Sequence, residues 1–307
     1  IMKESQRPVL MISSLTQEGA DTTLKALDIG ALDFMPKLST GAGQDMDRME
    51  GELRAKIKAL GRRKAFVRLL HRHNRDTVRP PAHDSLRSGI VKKPDNNRMP
   101  VVAGTASRLS MPLGRSSFDL VAIGVSTGGP PAVQKILTSL PENFPAPILI
   151  AQHMPASFTG PFAKRLDSNC AIKVKEAEHG ENLRSATAYI CPGGRHLSVK
   201  KNKAGLLVAG VDEEPKEALY KPSANVLMES AGLVLGRRAL GVTLTGMGND
   251  GVIGTGVLKE KGGRTIAQSE ASCVVYGMPK AVVDAGLADL IVDIDDMAAV
   301  IMEQMVR

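Results

Sequence analysis

Beyond Phe118, short apolar runs alternate with stretches whose apolar residues recur at helical spacing, and few folds accommodate that pattern. Strands are expected at residues 120–123, 147–151, 173–176, 188–190, 206–209, 240–244 and 264–267. Helices are expected at 132–140, 160–169, 223–235, 251–261, 279–285 and 294–305. Strands that alternate with helices build a mostly parallel sheet covered on both faces, so 117–307 is expected to be a doubly wound, Rossmann-like α/β domain. Functional groups in such sheets gather at the C-terminal ends of the strands. No internal repeat is present.

The first of these strands runs into Gly124-Val-Ser126-Thr-Gly128-Gly129-Pro130-Pro131. Glycines there permit a tight turn that residues with a Cβ resist, and the prolines suit the first turn of a helix. Ser126 is therefore expected on a strand–turn–helix corner, its hydroxyl exposed beside a helix N-terminus. Gly124-x-Ser126-x-Gly128 also spells the nucleophile-elbow pattern. A serine so placed attacks an ester or amide, and nearby backbone N–H groups stabilise the oxyanion. A glycine-rich turn after a strand is equally just a turn, so the company of Ser126 decides its meaning.

Composition narrows the partners. Aromatic residues make up 3% of the chain and Trp is absent, which disfavours stacking on nucleic-acid bases. Cys170, Cys191 and Cys273 are scattered, giving neither a disulfide framework nor a zinc site, and they fit a reducing cytoplasm. No apolar run reaches the roughly 18 residues of a membrane span, so no membrane insertion is expected. The chain opens on Ile1 rather than Met, so an upstream leader is not excluded.

The net charge of +8 suggests nucleic acid until its location is considered. Residues 61–116 hold thirteen Lys and Arg against three acids, more than the whole excess, and the rest of the chain is slightly acidic. That segment is rich in Arg, Pro, Asn and Ser, and reads as a basic flexible linker. Residues 1–60 read as strand, helix, strand, helix, an α/β fragment too small to form a doubly wound sheet alone. Two functional classes remain open on this evidence: an esterase built on Ser126, or a non-catalytic signalling adaptor whose linker binds an acidic partner.

A serine nucleophile needs a base, and the base needs an orienting acid. His71, His73 and His83 fall in the linker, where fixed geometry is implausible. His153 ends an apolar run and reaches the same sheet edge as Ser126. His196, after Cys191-Pro-Gly-Gly-Arg195, is a candidate pocket residue, and His179 reads as a solvated loop residue. Asp250 lies in the turn Thr245-Gly-Met-Gly-Asn-Asp250-Gly251 after another strand, where a helix N-cap is the bland reading. Gly246-x-Gly248-x-x-Gly251, with Glu270 19 residues on, also resembles a dinucleotide fingerprint. Only about 55 residues follow it, too few for paired mononucleotide-binding halves. No histidine follows His196, so a triad using Asp250 runs Ser, His, Asp, unlike the α/β-hydrolases.

Gly124-Val-Ser126-Thr-Gly-Gly-Pro130, Gln152-His153-Met-Pro155, Pro192-Gly-Gly-Arg-His196, Lys221-Pro-Ser223 and Gly246-Met-Gly-Asn-Asp250-Gly251 together resemble the chemotaxis protein-glutamate methylesterases, the CheB family. The resemblance implies a serine esterase with Ser126 as nucleophile, His153 as general base and acid, and Asp250 as the orienting carboxylate. It places the backbone near Met247, and Thr127, by the oxyanion. It implies hydrolysis of glutamate γ-methyl esters on chemoreceptor signalling helices, releasing methanol, with deamidation of receptor glutamines in some members. No metal or organic cofactor is implied.

Residues 1–58 resemble the last part of a response-regulator receiver, a flavodoxin-like domain, with Ser13 matching its switch hydroxyl and Lys37 its phosphoryl-contacting lysine. That likeness implies a histidine kinase as partner of an intact receiver, whose acidic pair and phosphoacceptor aspartate are expected upstream of Ile1. The length and charge of the linker argue against docking of this fragment over Ser126.

Overall fold

The computed structural model describes residues 7–37, 43–61 and 118–305. Nearly all of the expected linker, with His71, His73 and His83, lies outside the described residues. Near the N-terminus, β1 (Leu10–Ser13) leads through α1 (Gln17–Asp28) to β2 (Asp33–Pro36), and α2 (Gly43–Gly61) follows. The two strands pair in parallel, Leu10 opposite Asp33 and Ser13 opposite Pro36. Thr16 opens α1 by accepting a hydrogen bond from Gly19 N on its hydroxyl.

The larger unit runs β3 (Leu120–Val125), α3 (Gly129–Leu137), β4 (Ile148–Gln152), α4 (Ala156–Asn169), β5 (Lys173–Glu176) and β6 (Thr187–Ile190). It continues with β7 (His196–Lys201), β8 (Leu207–Asp212), α5 (Ala224–Leu235), β9 (Ala239–Thr243), α6 (Val252–Glu260), β10 (Arg264–Gln268), α7 (Met278–Asp284), β11 (Leu290–Val292) and α8 (Met297–Met305). Seven strands form one sheet in the order β11-β10-β9-β3-β4-β6-β5, and every neighbouring pair is parallel. Alternate residues of β3 enter two separate cores. Val121, Ile123 and Val125 meet α3, α4 and α8, whereas Leu120 and Ala122 meet Leu227, Met228 and Ala231 of α5 and Leu258 of α6. Both faces are thus buried, which is why this strand is apolar at consecutive positions. Cutting one of its large residues to Ala costs about 2–5 kcal/mol.

This topology decides where a site can lie. From β3 the sheet extends through β4, β6 and β5 on one side, where the chain reaches the edge strand β5 before returning to β6, and through β9, β10 and β11 on the other. The C-terminal end of β3 is therefore the point where the winding reverses, the usual place for a crevice in such sheets.

Two expectations need correction, and one strand was not foreseen. The strand expected at 206–209 belongs to β8, which pairs antiparallel with β7 in a separate ribbon rather than joining the parallel sheet. Asn202 closes that ribbon's turn by accepting from Ala204 N and Leu206 N. The ribbon buries Leu197, Val199, Ala209 and Val211 against α5, so its alternating pattern is that of a half-buried hairpin. The edge strand β11, three residues long, is too short to stand out as an apolar run. Finally, the N-terminal unit does pack on the larger one. Ala20, Leu24, Leu27 and Phe34 share a core with α4, the Phe34 and Phe158 rings lie 4.5 Å apart, and Asp28 pairs with Arg165. The apolar face of a two-stranded unit has no second layer of its own, and it buries against α4 instead.

Candidate active site

Ser126 follows β3 directly and is held by its backbone on every side. Its N–H donates to Thr245 O at 3.0 Å, and its carbonyl accepts from Gly129 N at 2.8 Å and from Gln152 Nε2 at 3.1 Å. Gly128 adopts φ +76°, a conformation that strains any residue with a Cβ, and this reverses the chain into α3. Gly246 makes room from the opposite side, because a Cβ there would lie 2.9 Å from Ser126 Cβ. The turn that resembled a dinucleotide fingerprint is therefore packed against the serine itself.

His153 follows β4, the neighbour of β3, and its N–H donates to Val125 O at 3.1 Å. Its ring Nε2 lies 2.8 Å from Asp250 Oδ2. Asp250 follows β9, the other neighbour of β3. The three residues thus come from the ends of three adjacent strands. Asp250 does not cap the helix that follows it; α6 opens on Gly251, which has no capping side chain of its own. Its carboxylate instead caps α5, accepting from Ala224 N at 2.6 Å, Asn225 N at 3.1 Å and Ser223 Oγ at 2.9 Å. Burial opposes its ionisation, but the His153 hydrogen bond and charge and the two α5 N–H groups prevail, holding the carboxyl below its usual range. A permanent carboxylate on Nε2 fixes the tautomer with Nε2–H and leaves Nδ1 to take a proton.

A cavity of about 530 Å³ opens beside these groups, lined by Ser126, Thr127, His153, Met154, Tyr220, Lys221 and Met247. Its opposite wall comes from the N-terminal unit, through Asp33, Phe34, Pro36, Glu52 and Lys56. Thr127 and Met247 both line this cavity, and among the described residues their N–H groups make no hydrogen bond. No hydrogen bond joins Ser126 Oγ to His153 among the described residues, although both line this cavity.

The other expected residues fall elsewhere. His196 does not line the cavity: it is buried, with Nε2 3.2 Å from Pro215 O, because it begins a ribbon strand whose inner face packs on α5. Burial holds it below the ordinary histidine range despite the Pro215 hydrogen bond. Ser13 and Lys37 come together at the ends of β1 and β2, where Lys37 N donates to Ser13 O, and neither lines the cavity. Ser13 Oγ donates to Gly19 O at 2.9 Å. His179 is exposed, as expected for a loop residue, yet its Nδ1 sits 2.8 Å from Val211 O.

Several participants were not foreseen. Gln152 Nε2 bridges the carbonyls of Ser126 and His153, and Thr245 is held by Gln268 Oε1 at 2.8 Å. Asn225 Oδ1 accepts from Gly251 N and Gly254 N, and the Tyr220 ring stacks on His153. A buried polar residue at the end of an apolar strand, as at Gln152 and Gln268, was the one signal available for any of these.

Comparison with known proteins bears directly on this geometry. The family model described as CheB methylesterase matches residues 121–301. The chain belongs to the CheB methylesterase family. Its CheB relatives include a protein-glutamate methylesterase/protein-glutamine glutaminase of Oleidesulfovibrio alaskensis, 57% identical over 98% of this chain and 80% of that protein. A protein of the same description from Lawsonia intracellularis is 54% identical over 97% of this chain and 78% of its own length. The crystal structure of the Thermotoga maritima CheB methylesterase catalytic domain is 40% identical, with a TM-score of 0.59, and covers 61% of this chain and 98% of that one. The CheB match starts within β3 and ends within α8, so it takes in all three strand ends described above.

Proposed function

We propose that this chain hydrolyses glutamate γ-methyl esters on the cytoplasmic signalling helices of chemoreceptors, releasing methanol, and deamidates receptor glutamines at the same site. The observation that carries this reading is the 2.8 Å pairing of His153 Nε2 with buried Asp250, beside a serine on the switch-point corner. Ser126 Oγ attacks the γ-carbonyl carbon while His153 Nδ1 takes its proton. The tetrahedral oxyanion is met by the N–H groups of Thr127 and Met247. Collapse expels the methoxy group, protonated by His153, as methanol and leaves a γ-glutamyl ester on Ser126. Water then attacks, giving up one proton to His153, and the product leaves as Ser126 regains that proton, its new carboxylic acid ionising to solvent. An amide follows the same course with ammonia as the leaving group.

Such a substrate places the enzyme in the cytoplasm; among the described residues no helix is long and apolar enough to cross a membrane. The N-terminal unit, where Ser13 and Lys37 meet, is the part through which a histidine kinase would act on a complete receiver. The non-catalytic adaptor reading draws no support from the site. In the decisive assay, Ser126→Ala retains its fold but releases methanol from methylated receptor membranes on the order of 10³-fold more slowly or worse. Full activity in that variant refutes the proposal.

A further inference from the structure

The contacts of the His153 ring leave one degree of freedom to be accounted for. Its Nε2 is tied to Asp250, but Nε2 lies nearer the extension of the Cβ–Cγ bond than Nδ1 does. Turning the ring about that bond shifts Nε2 less than Nδ1 and swings Nδ1 out of line. Torsions of this kind are broad rather than sharply staggered, so the bond to Asp250 sets the position of the ring better than its plane.

The plane is set by a neighbour. The Tyr220 ring lies against the imidazole with centroids 4.4 Å apart and planes 12° from parallel. A flat face at that distance blocks the turn, because rotation drives an imidazole edge into the phenol ring. Tyr220 is itself well placed to resist. It is half-buried, and it sits on the loop between β8 and α5. That loop is tied down by His196 Nε2 at Pro215 O, by Lys221 Nζ donating to Glu213 O at 3.1 Å, and by Gly194 N donating to Lys221 O. Two residues further on, Ser223 donates to Asp250. One loop therefore delivers both the stacking ring and the helix end that anchors the carboxylate.

We infer that Tyr220 is a positioning residue for the methylesterase reaction: its ring holds the His153 imidazole in the plane that presents Nδ1 to Ser126. This rests on the Ser126–His153–Asp250 reading. The part that matters is the flat aromatic face, not the hydroxyl.

Tyr220→Phe and Tyr220→Leu separate the two. The assays are methanol release from methylated receptor membranes and the rate at which a small fluorophosphonate labels Ser126. The second needs the base but no receptor docking. Tyr220→Leu is expected to lower kcat about 10- to 100-fold with KM changed less than about twofold, and to slow phosphonylation in proportion. Tyr220→Phe is expected to keep both rates within about threefold of wild type. If Tyr220→Leu does not fold, Tyr220→Met and Tyr220→Trp make the same comparison, with Trp retaining the flat face. A folded Leu or Met variant with wild-type kcat and labelling rate overturns the inference. So does a Phe variant as slow as Leu. Either result alongside an inactive Ser126→Ala removes the role of Tyr220 and leaves the triad standing, whereas an active Ser126→Ala removes the triad itself.

Discussion

Asp250 accepts four hydrogen bonds, two on each oxygen: Ser223 Oγ and Asn225 N on Oδ1, His153 Nε2 and Ala224 N on Oδ2. An asparagine offers only one accepting oxygen, so in either amide orientation two donors face an NH₂ group. Asp250→Asn is therefore expected to lose roughly 10³- to 10⁴-fold in kcat, by analogy with other triads, and about 2 kcal/mol of stability. Because the carboxyl is held below the ordinary aspartate value of 3.8, its contribution to stability is complete above that pH. It fades as pH falls below 3.8 and through the depressed folded value. Urea melts of wild type and variant should consequently differ fully at neutral pH and converge in acid; a constant gap would place the stabilisation elsewhere. The sequence made Ser126, His153 and Asp250 legible because each follows an apolar strand at a glycine- or proline-marked corner. It hid Tyr220, since a tyrosine in a polar loop carries no period and its value lies in what it stacks upon. It also misdirected the local reading of Asp250, whose nearest helix in sequence is not the one it caps.

Helices α5 and α6 exchange caps. Asp250, just before α6, satisfies the first N–H groups of α5, and Asn225, in the first turn of α5, accepts from Gly251 N and Gly254 N at the start of α6. Each helix thereby fixes the other's N-terminus, and the Asp250 carboxylate sits inside that exchange. Asn225→Ala is expected to cost about 1–2 kcal/mol, read as a lower Tm, and to lower kcat with it as Asp250 loses its frame. Loss of stability with full kcat would show that Asp250 holds its place without this partner. Such reciprocity joins residues 25 positions apart, so no local pattern reveals it. Most of the parallel strands were readable because both their faces are buried; of the β7–β8 ribbon a strand at 206–209 was readable, but its antiparallel pairing outside the parallel sheet was not, because the ribbon's outer face is solvated.

Across the whole molecule, the candidate site is a shared space. The sheet supplies Ser126 and His153 on one wall, and the N-terminal unit supplies Phe34, Pro36 and Lys56 on the other. Lys56 Nζ reaches Asp33 at 2.6 Å, a buried ion pair that ties α2 to β2 within that wall. The length and basic charge of the linker argued against this docking; the apolar surface left by a two-stranded unit decided it. Phe34→Ala removes the ring stacked on Phe158 and is expected to weaken docking by about 3 kcal/mol. Phosphonylation of Ser126 should then accelerate, and an unchanged rate would mean that the wall does not limit access. The central claim is that Ser126 is the nucleophile and His153 its base. Mass-spectrometric mapping after fluorophosphonate treatment tests it most directly: a single adduct on the Ser126 peptide is expected, absent in Ser126→Ala and formed far more slowly in His153→Ala. An adduct on another residue, or undiminished labelling without His153, would contradict it.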